Sequence, residues 1–201
     1  MLIDFSPVES GQITLYDFAQ KLSIDDLRGA TNASLDAILA WIGNADDAQV
    51  AFIPNDPLAD DQYAPPEERY LGWSVAHLVV HVTASSEEAV AYSAILARGI
   101  PYPREPRLRY ETDWHTMKTR AQVLQRIEES RRIRLAALDM WPDVPHLDAL
   151  RDVSENYIAR LGVSNAKSAF LSGLKHEHAH HAQIQATAKQ ACEALAPAGT
   201  C

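Results

Sequence analysis

The sequence predicts an all-α protein, a four-helix bundle with one or two short extra helices. Three observations predict it. Apolar residues recur at helical spacing over four long stretches. Prolines and glycines cluster between those stretches, and no sustained period-two alternation of branched residues requires a strand. The 201 residues, 47% hydrophobic and 22% charged, suffice for one sizeable core and are few for two. Residues 1–201 are therefore read as a single domain.

A short helix is expected over 14–22. Ser23 followed by Asp26 forms a capping-box pattern, and Leu27, Thr31, Leu35, Ile38 and Ile42 continue at helical spacing, which predicts the first long helix over 23–43. From 44 to 72, Pro54, Pro57, Pro65 and Pro66 stand among many acids and prevent another. So long a connection in a compact domain often covers a functional cleft, the alternative being an idle surface loop. Residues 73–98 are nearly free of breakers and apolar almost all round between Val75 and Ala84. This second long helix should be the most buried, ending at Gly99 and Pro101.

The third long helix is expected over 113–140, with Met117, Ala121, Leu124, Ile127, Leu135 and Leu138 as its inner stripe and Pro142 as its stop. A shorter helix over 146–161 ends at Gly162. The last, over 166–195, turns Phe170, Leu174, Ile184, Ala188, Ala191 and Leu195 inward before Pro197.

The formal charge of -9 repels phosphate backbones, so nucleic acid is not an expected partner. Arg131, Arg132 and Arg134 follow Glu128 and Glu129, a pattern read as a solvated helix face. The opening segment MLIDFSPVES lacks the basic and apolar regions of a leader. No apolar run nears the roughly 20 residues of a membrane helix. Two cysteines, Cys192 and Cys201, form no CxxC pair and offer no thiolate metal knuckle. A cytoplasmic protein is expected.

Histidine carries the chemical signal. Of eight, four lie in HEHAHH at 176–181, and His77 and His81 lie in the second long helix. His176 and His180 stand one turn apart, with Cβ atoms about 5–6 Å apart, which makes a chelating half-site. A solvent-facing pair would show the same spacing. His81 sits on another helix within LVVHVTA, where an unpaired ring would cost roughly 1–3 kcal/mol. Three neutral imidazoles on one divalent cation satisfy one another and leave positions open for water or substrate. Nickel, zinc, iron and manganese all accept imidazole.

His77, one turn before His81, is the alternative third ligand. Glu88, two turns after His81, is a candidate for orienting an imidazole or joining the metal, although a salt-bridging glutamate is the simpler reading. His178 and His181 rotate away from the 176/180 face. HEHAH also matches the HExxH of zinc peptidases, with Glu177 as general base. Only Glu193 follows as a further ligand, which disfavours that reading. Glu177 and His180 spell a single ExxH, where a di-iron bundle needs two.

GWSVAHLVVHVTAS at 72–85 and HEHAHHAQI at 176–184 resemble the DinB/YfiT-like bundle proteins, and the resemblance covers most of the chain. The matching positions are Trp73, Ser74, His81, His176, His180, Gln183 and Ile184. The resemblance implies an up-down-down-up helix order, often a homodimer, with His81, His176 and His180 as ligands of nickel, zinc or a similar ion. Gln183 would pack against or polarise the site. It implies a thiol-dependent transferase or isomerase using a low-molecular-weight thiol, or a metal-dependent hydrolase. His181 and Ala182 depart from the Arg-Gly often found there, and the first interhelical loop is long; both bear on the substrate. The expected function is activation of a small thiol or water toward a small-molecule substrate. An arginine such as Arg131 would meet the thiol's carboxylates. The alternative is a non-catalytic metal-binding or stress-response bundle.

Overall fold

Ser23 ends an extended stretch, and its hydroxyl accepts from the Asp26 amide while the Asp26 carboxylate accepts from the Ser23 amide. This reciprocal cap starts the first long helix one residue from its expected position. In the computed structural model, which describes residues 2–195, the helices are α1 (Ser6–Glu9), α2 (Leu15–Gln20), α3 (Ile24–Ile42), α4 (Asp47–Val50), α5 (Val75–Ala97), α6 (Arg120–Asp139), α7 (Glu155–Leu161) and α8 (Ala166–Leu195). Pro197 and Cys201 lie outside the described residues. No strand forms among the described residues, only two isolated bridges that Arg151 makes with Tyr102 and Ser164. The all-α expectation holds. No helix is long and apolar enough to cross a membrane.

Helix directions follow from cross-helix contacts. Lys167 Nζ donates to the Leu22 carbonyl, and His181 meets Ser34, so α3 and α8 run parallel. Arg28 pairs with Asp139 and Arg120 reaches the Gly43 carbonyl, so α3 and α6 are antiparallel. Ser86 bonds Gly173 and Thr187 bonds Trp73, so α5 and α8 are antiparallel. The order is up-down-down-up, with α5 and α8 sharing the largest interface.

Two helices begin later than their hydrophobic pattern suggests. A 3-10 turn at Trp114–Thr116 precedes α6, whose start is set by a Thr119/Gln122 capping box. Residues 146–152 are not helical: Tyr102 and Ser164 pair with the backbone there, and the Ser154 hydroxyl caps α7. The inner stripe of α6 is also rotated from the expected one. Val123, Ile127, Ser130, Arg134 and Leu138 are buried, while Ala121 is exposed and Leu124 and Leu135 are half-buried. On α8, Phe170, Leu174, Ile184 and Ala191 are buried as expected, but Leu195 is exposed.

That rotation corrects the reading of Arg134. Arg132 is exposed and Arg131 is half-buried against α3, but Arg134 and Glu177 are both fully buried. Arg134 Nη1 and Nη2 donate to the two Glu177 oxygens at 3.1 and 2.6 Å, and Arg134 Nε donates to Ser130 Oγ. Ser34 Oγ donates to Glu177 at 2.5 Å. The pair thus ties α6, α8 and α3 at the centre of the bundle.

Glu177→Leu alone should cost about 3–5 kcal/mol, because it leaves a buried guanidinium uncompensated. The loss reads out as a lower urea midpoint. An Arg134→Met/Glu177→Leu double variant should recover most of it. A double variant no more stable than the single one would show that the loss lies in packing rather than in the stranded charge.

Candidate metal centre

Ser74 caps α5 by accepting from the His77 amide, and α5 then carries His81 to face α8. There His176 and His180 project from a face of α8 adjacent to the one that carries Glu177 to Arg134. A Cβ on Gly173 would lie 2.9 Å from Ser86 Cα and from Ala89 Cβ. Glycine therefore lets the two backbones approach one turn before His176. All three histidines come together, with ligand nitrogens within 4.8 Å of one another. His81 Nε2 and His176 Nε2 are 3.1 Å apart.

The cluster fits a divalent cation. With metal–nitrogen bonds of about 2.0–2.1 Å, two ligand nitrogens lie about 3.0 Å apart at a right angle and about 3.4 Å apart at the tetrahedral angle. The 3.1 Å contact falls in that interval. The outer nitrogens of two of the rings are also occupied. Gln183 Oε1 lies 2.9 Å from His180 Nδ1, and Glu111 Oε1 lies 3.4 Å from His81 Nδ1. Acceptors at Nδ1 place its proton there and leave the Nε2 lone pair for a metal. Arg109 Nη2 also lies 3.3 Å from His81 Nδ1. Two donors cannot satisfy each other, and this guanidinium has better acceptors in Glu111, Ser85 Oγ and the His81 carbonyl. The Glu111 contact therefore sets the tautomer.

Burial favours neutral rings. It pushes His176 down to about 3, reinforced by the neighbouring histidines, and lowers His180 as well. Glu111 behaves oppositely. Its burial alone would raise its pKa, but the bonds to His81 and Arg109 bring it down to about 2, so it remains an acceptor.

His77 does not join the cluster. Its ring is sandwiched between Trp73 and Trp114, with centroids 4.3 and 4.7 Å away. His77 and His81 are both half-buried, so depth does not separate them; the indole sandwich does. Glu88 is buried but turned away from the histidines, accepting from Tyr92 and Arg107. Arg131 pairs with Asp36 and Glu128 on the outer surface of α3 and α6 and does not line the site. Glu177, one residue from His176, faces Arg134, so it cannot serve the cluster as the HExxH base would. His178 and His181 turn toward Phe5 and Trp41, as expected.

The cluster forms part of the wall of a cavity of about 1030 Å³. The 44–72 connection lines one side of it, through residues from Asp56 to Gly72, which supports its reading as a cleft cover. Gly72 closes that connection where a Cβ would lie 2.3 Å from the Pro54 carbonyl oxygen. The 107–115 segment lines another side. Its contributions, Arg107, Arg109, Glu111 and Trp114, were not foreseen. No spacing rule joins residue 111 to residue 81, and the only local hint was a tryptophan among charges in a loop.

Fold and site together define a four-helix bundle whose histidine triad opens on a cavity, the arrangement of a bundle-borne metal centre. The chain belongs to the DinB superfamily, whose family model matches residues 30–184. No curated protein and no solved structure matches it.

Two outcomes follow. Gln183→Leu leaves His180 Nδ1 without its acceptor and should weaken metal binding about 10–100-fold, measured by competition with a chromophoric chelator. Unchanged affinity would remove Gln183 from the site's support. In metal-free protein, burial holds His77 and His181 at about 4 and His176 at about 3, while free rings titrate at about 6.5. The unfolded chain therefore binds protons first, so stability is full above about 6.5 and falls as pH drops toward about 4. Urea midpoints should decline across that window, less steeply in His77→Gln. A flat profile would contradict buried neutral rings.

Proposed function

We propose that this protein is a metal-dependent enzyme in which His81, His176 and His180 hold a divalent cation that activates a small thiol or water. The observation carrying this reading is that three imidazole nitrogens converge on a large cavity with no fourth protein ligand in their cluster among the described residues. Three nitrogen ligands with an open position suit a catalytic rather than a structural ion. When bound there, the cation supplies a Lewis acid that lowers the pKa of a thiol or water.

The chain's own residues prepare that chemistry. Glu111 and Gln183 hold protons at Nδ1 of His81 and His180, so both rings present Nε2 as a base. Trp73 lies against His81 and near His180, with ring centroids 4.7 and 6.0 Å away. Its indole excludes water and strengthens electrostatic interactions at the cluster. A non-catalytic role would be favoured by His77 or Glu88 closing the coordination, and both are committed to other partners.

The substrate is a small molecule and the reaction a thiol transfer or a hydrolysis. A homodimer in the cytoplasm remains the expected setting. Neither nucleic acid nor membrane is a partner, in keeping with the acidic charge. The fold leaves nickel, zinc, iron and manganese equally admissible.

Metal analysis of protein purified without a histidine tag tests the reading. Wild type should carry about one ion per chain, as a single three-ligand centre requires, and a His81→Ala/His176→Ala variant should carry none. Equal substoichiometric metal in both would overturn the proposal. Thiol-dependent or hydrolytic turnover that stops on chelation and returns with metal would separate an enzyme from a metal buffer.

A further inference from the structure

The cavity continues past the histidines along α5 to an end lined by Glu88, Tyr92, Arg107, Arg109 and Arg151. Three guanidiniums there face two carboxylates, Glu88 and Glu111, which leaves one positive charge unmatched. Glu88 takes Arg107 through Nε and Nη2, and Glu111 takes Arg109. Arg151 has no carboxylate partner among the described residues. Its guanidinium stacks over the Tyr92 ring at 3.8 Å, its Nε is buried without a hydrogen bond, and Nη2 reaches only the Arg104 carbonyl at 3.5 Å. A buried guanidinium donor without an acceptor is costly unless a ligand supplies one.

We propose that Arg151, supported by Arg107, is a carboxylate subsite, and that the substrate is an elongated acid whose opposite end carries the thiol or other group directed to the histidine cluster. The proposal rests on the metal-centre reading for the second half of this statement only. A carboxylate matches the single unmatched charge, whereas a phosphate dianion would overshoot it. Planar carboxylates also suit the fork of a guanidinium held flat on an aromatic ring. Glu88 stands two turns beyond His81, roughly 10 Å along the helix at about 1.5 Å per residue. The ligand must therefore extend over about that distance.

The test uses cobalt-loaded full-length protein titrated with mercaptooctanoate, its uncharged amide and mercaptoethanol, following the thiolate-to-cobalt absorption band. The acid should half-saturate the band at a concentration at least about tenfold below the amide, the effect of one charge-assisted hydrogen-bonded contact. Arg151→Met should abolish that gap, Arg107→Met should reduce it, and mercaptoethanol should titrate alike in all three proteins. Calorimetry of metal-free protein with octanoate and octanamide reads the subsite without the metal. The acid should again bind better, and Arg151→Met should erase the preference. Equal binding of acid and amide in both experiments, or a gap that survives Arg151→Met, overturns the subsite. Absent cobalt absorption with the calorimetric preference intact would sink the metal reading and leave the subsite standing.

Discussion

The buried Arg134–Glu177 pair sets the rotation of α8, and the meeting of the three histidines depends on that rotation. Consecutive helical residues are about 100° apart around the axis. With Glu177 held toward α6 and α3, His176 and His180 face α5 and the cavity. Turning α8 by one position to bring the carboxylate to the cavity face would swing both imidazoles away from His81 toward the exposed side of α8. Bidentate geometry and the Ser34 and Ser130 hydroxyls satisfy the pair, as a charge taken out of water requires. Such a pair contributes less to net stability than to the choice of one register among several apolar alternatives.

Close approach supplies the second constraint. Gly173 allows α5 and α8 to touch at Ser86 and Ala89, and the His81–His176 contact lies one turn away on the same interface. Neither ring reaches far, so their meeting depends on interhelical distance more than on rotamer choice. The 107–115 segment then adds what helices cannot. Glu111 comes from a loop laid across α5, whereas Gln183 lies three residues after the histidine it supports and needs no tertiary folding beyond α8.

What the sequence made legible follows the range of the interactions involved. Caps act over three residues, so Ser23 with Asp26 located α3. The apolar run around Val75–Ala84 located α5, and the boundaries of α8 were read without shift. The start of α6 was misplaced because Asp113–Thr116 carries helix-compatible residues that close only one 3-10 turn before the stronger Thr119 cap. Residues 146–152 were assigned a helix because their pairing partners, Tyr102 and Ser164, are distant in the chain. Arg134 was read as a surface charge although Ile127, Ser130 and Leu138 share its stripe. Charge outweighed spacing in that reading, and the glutamate that makes its burial tolerable is on another helix. Spacing points to His176 and His180, while the apolar run around His81 and the family resemblance add His81 ahead of His77; the Trp73 and Trp114 rings that hold His77 apart form a sandwich no periodicity reveals.

The same logic explains why HEHAH misleads as a motif. H-E-x-x-H specifies a peptidase only if glutamate and histidines share one solvent pocket, and here a distant arginine removes the glutamate from it. What remains is a cluster of imidazoles whose ring nitrogens converge, with the outer nitrogens of His81 and His180 held by Glu111 and Gln183. Burial disfavours protonation of His176 and His180, which keeps those rings available as cation ligands. A divalent cation held among the three nitrogens would satisfy them together. Because the unfolded chain lacks the convergence, cation binding adds to fold stability in proportion to the logarithm of metal concentration over its dissociation constant. The Arg134–Glu177 pair, by fixing the helix face, thus governs whether the three histidines meet.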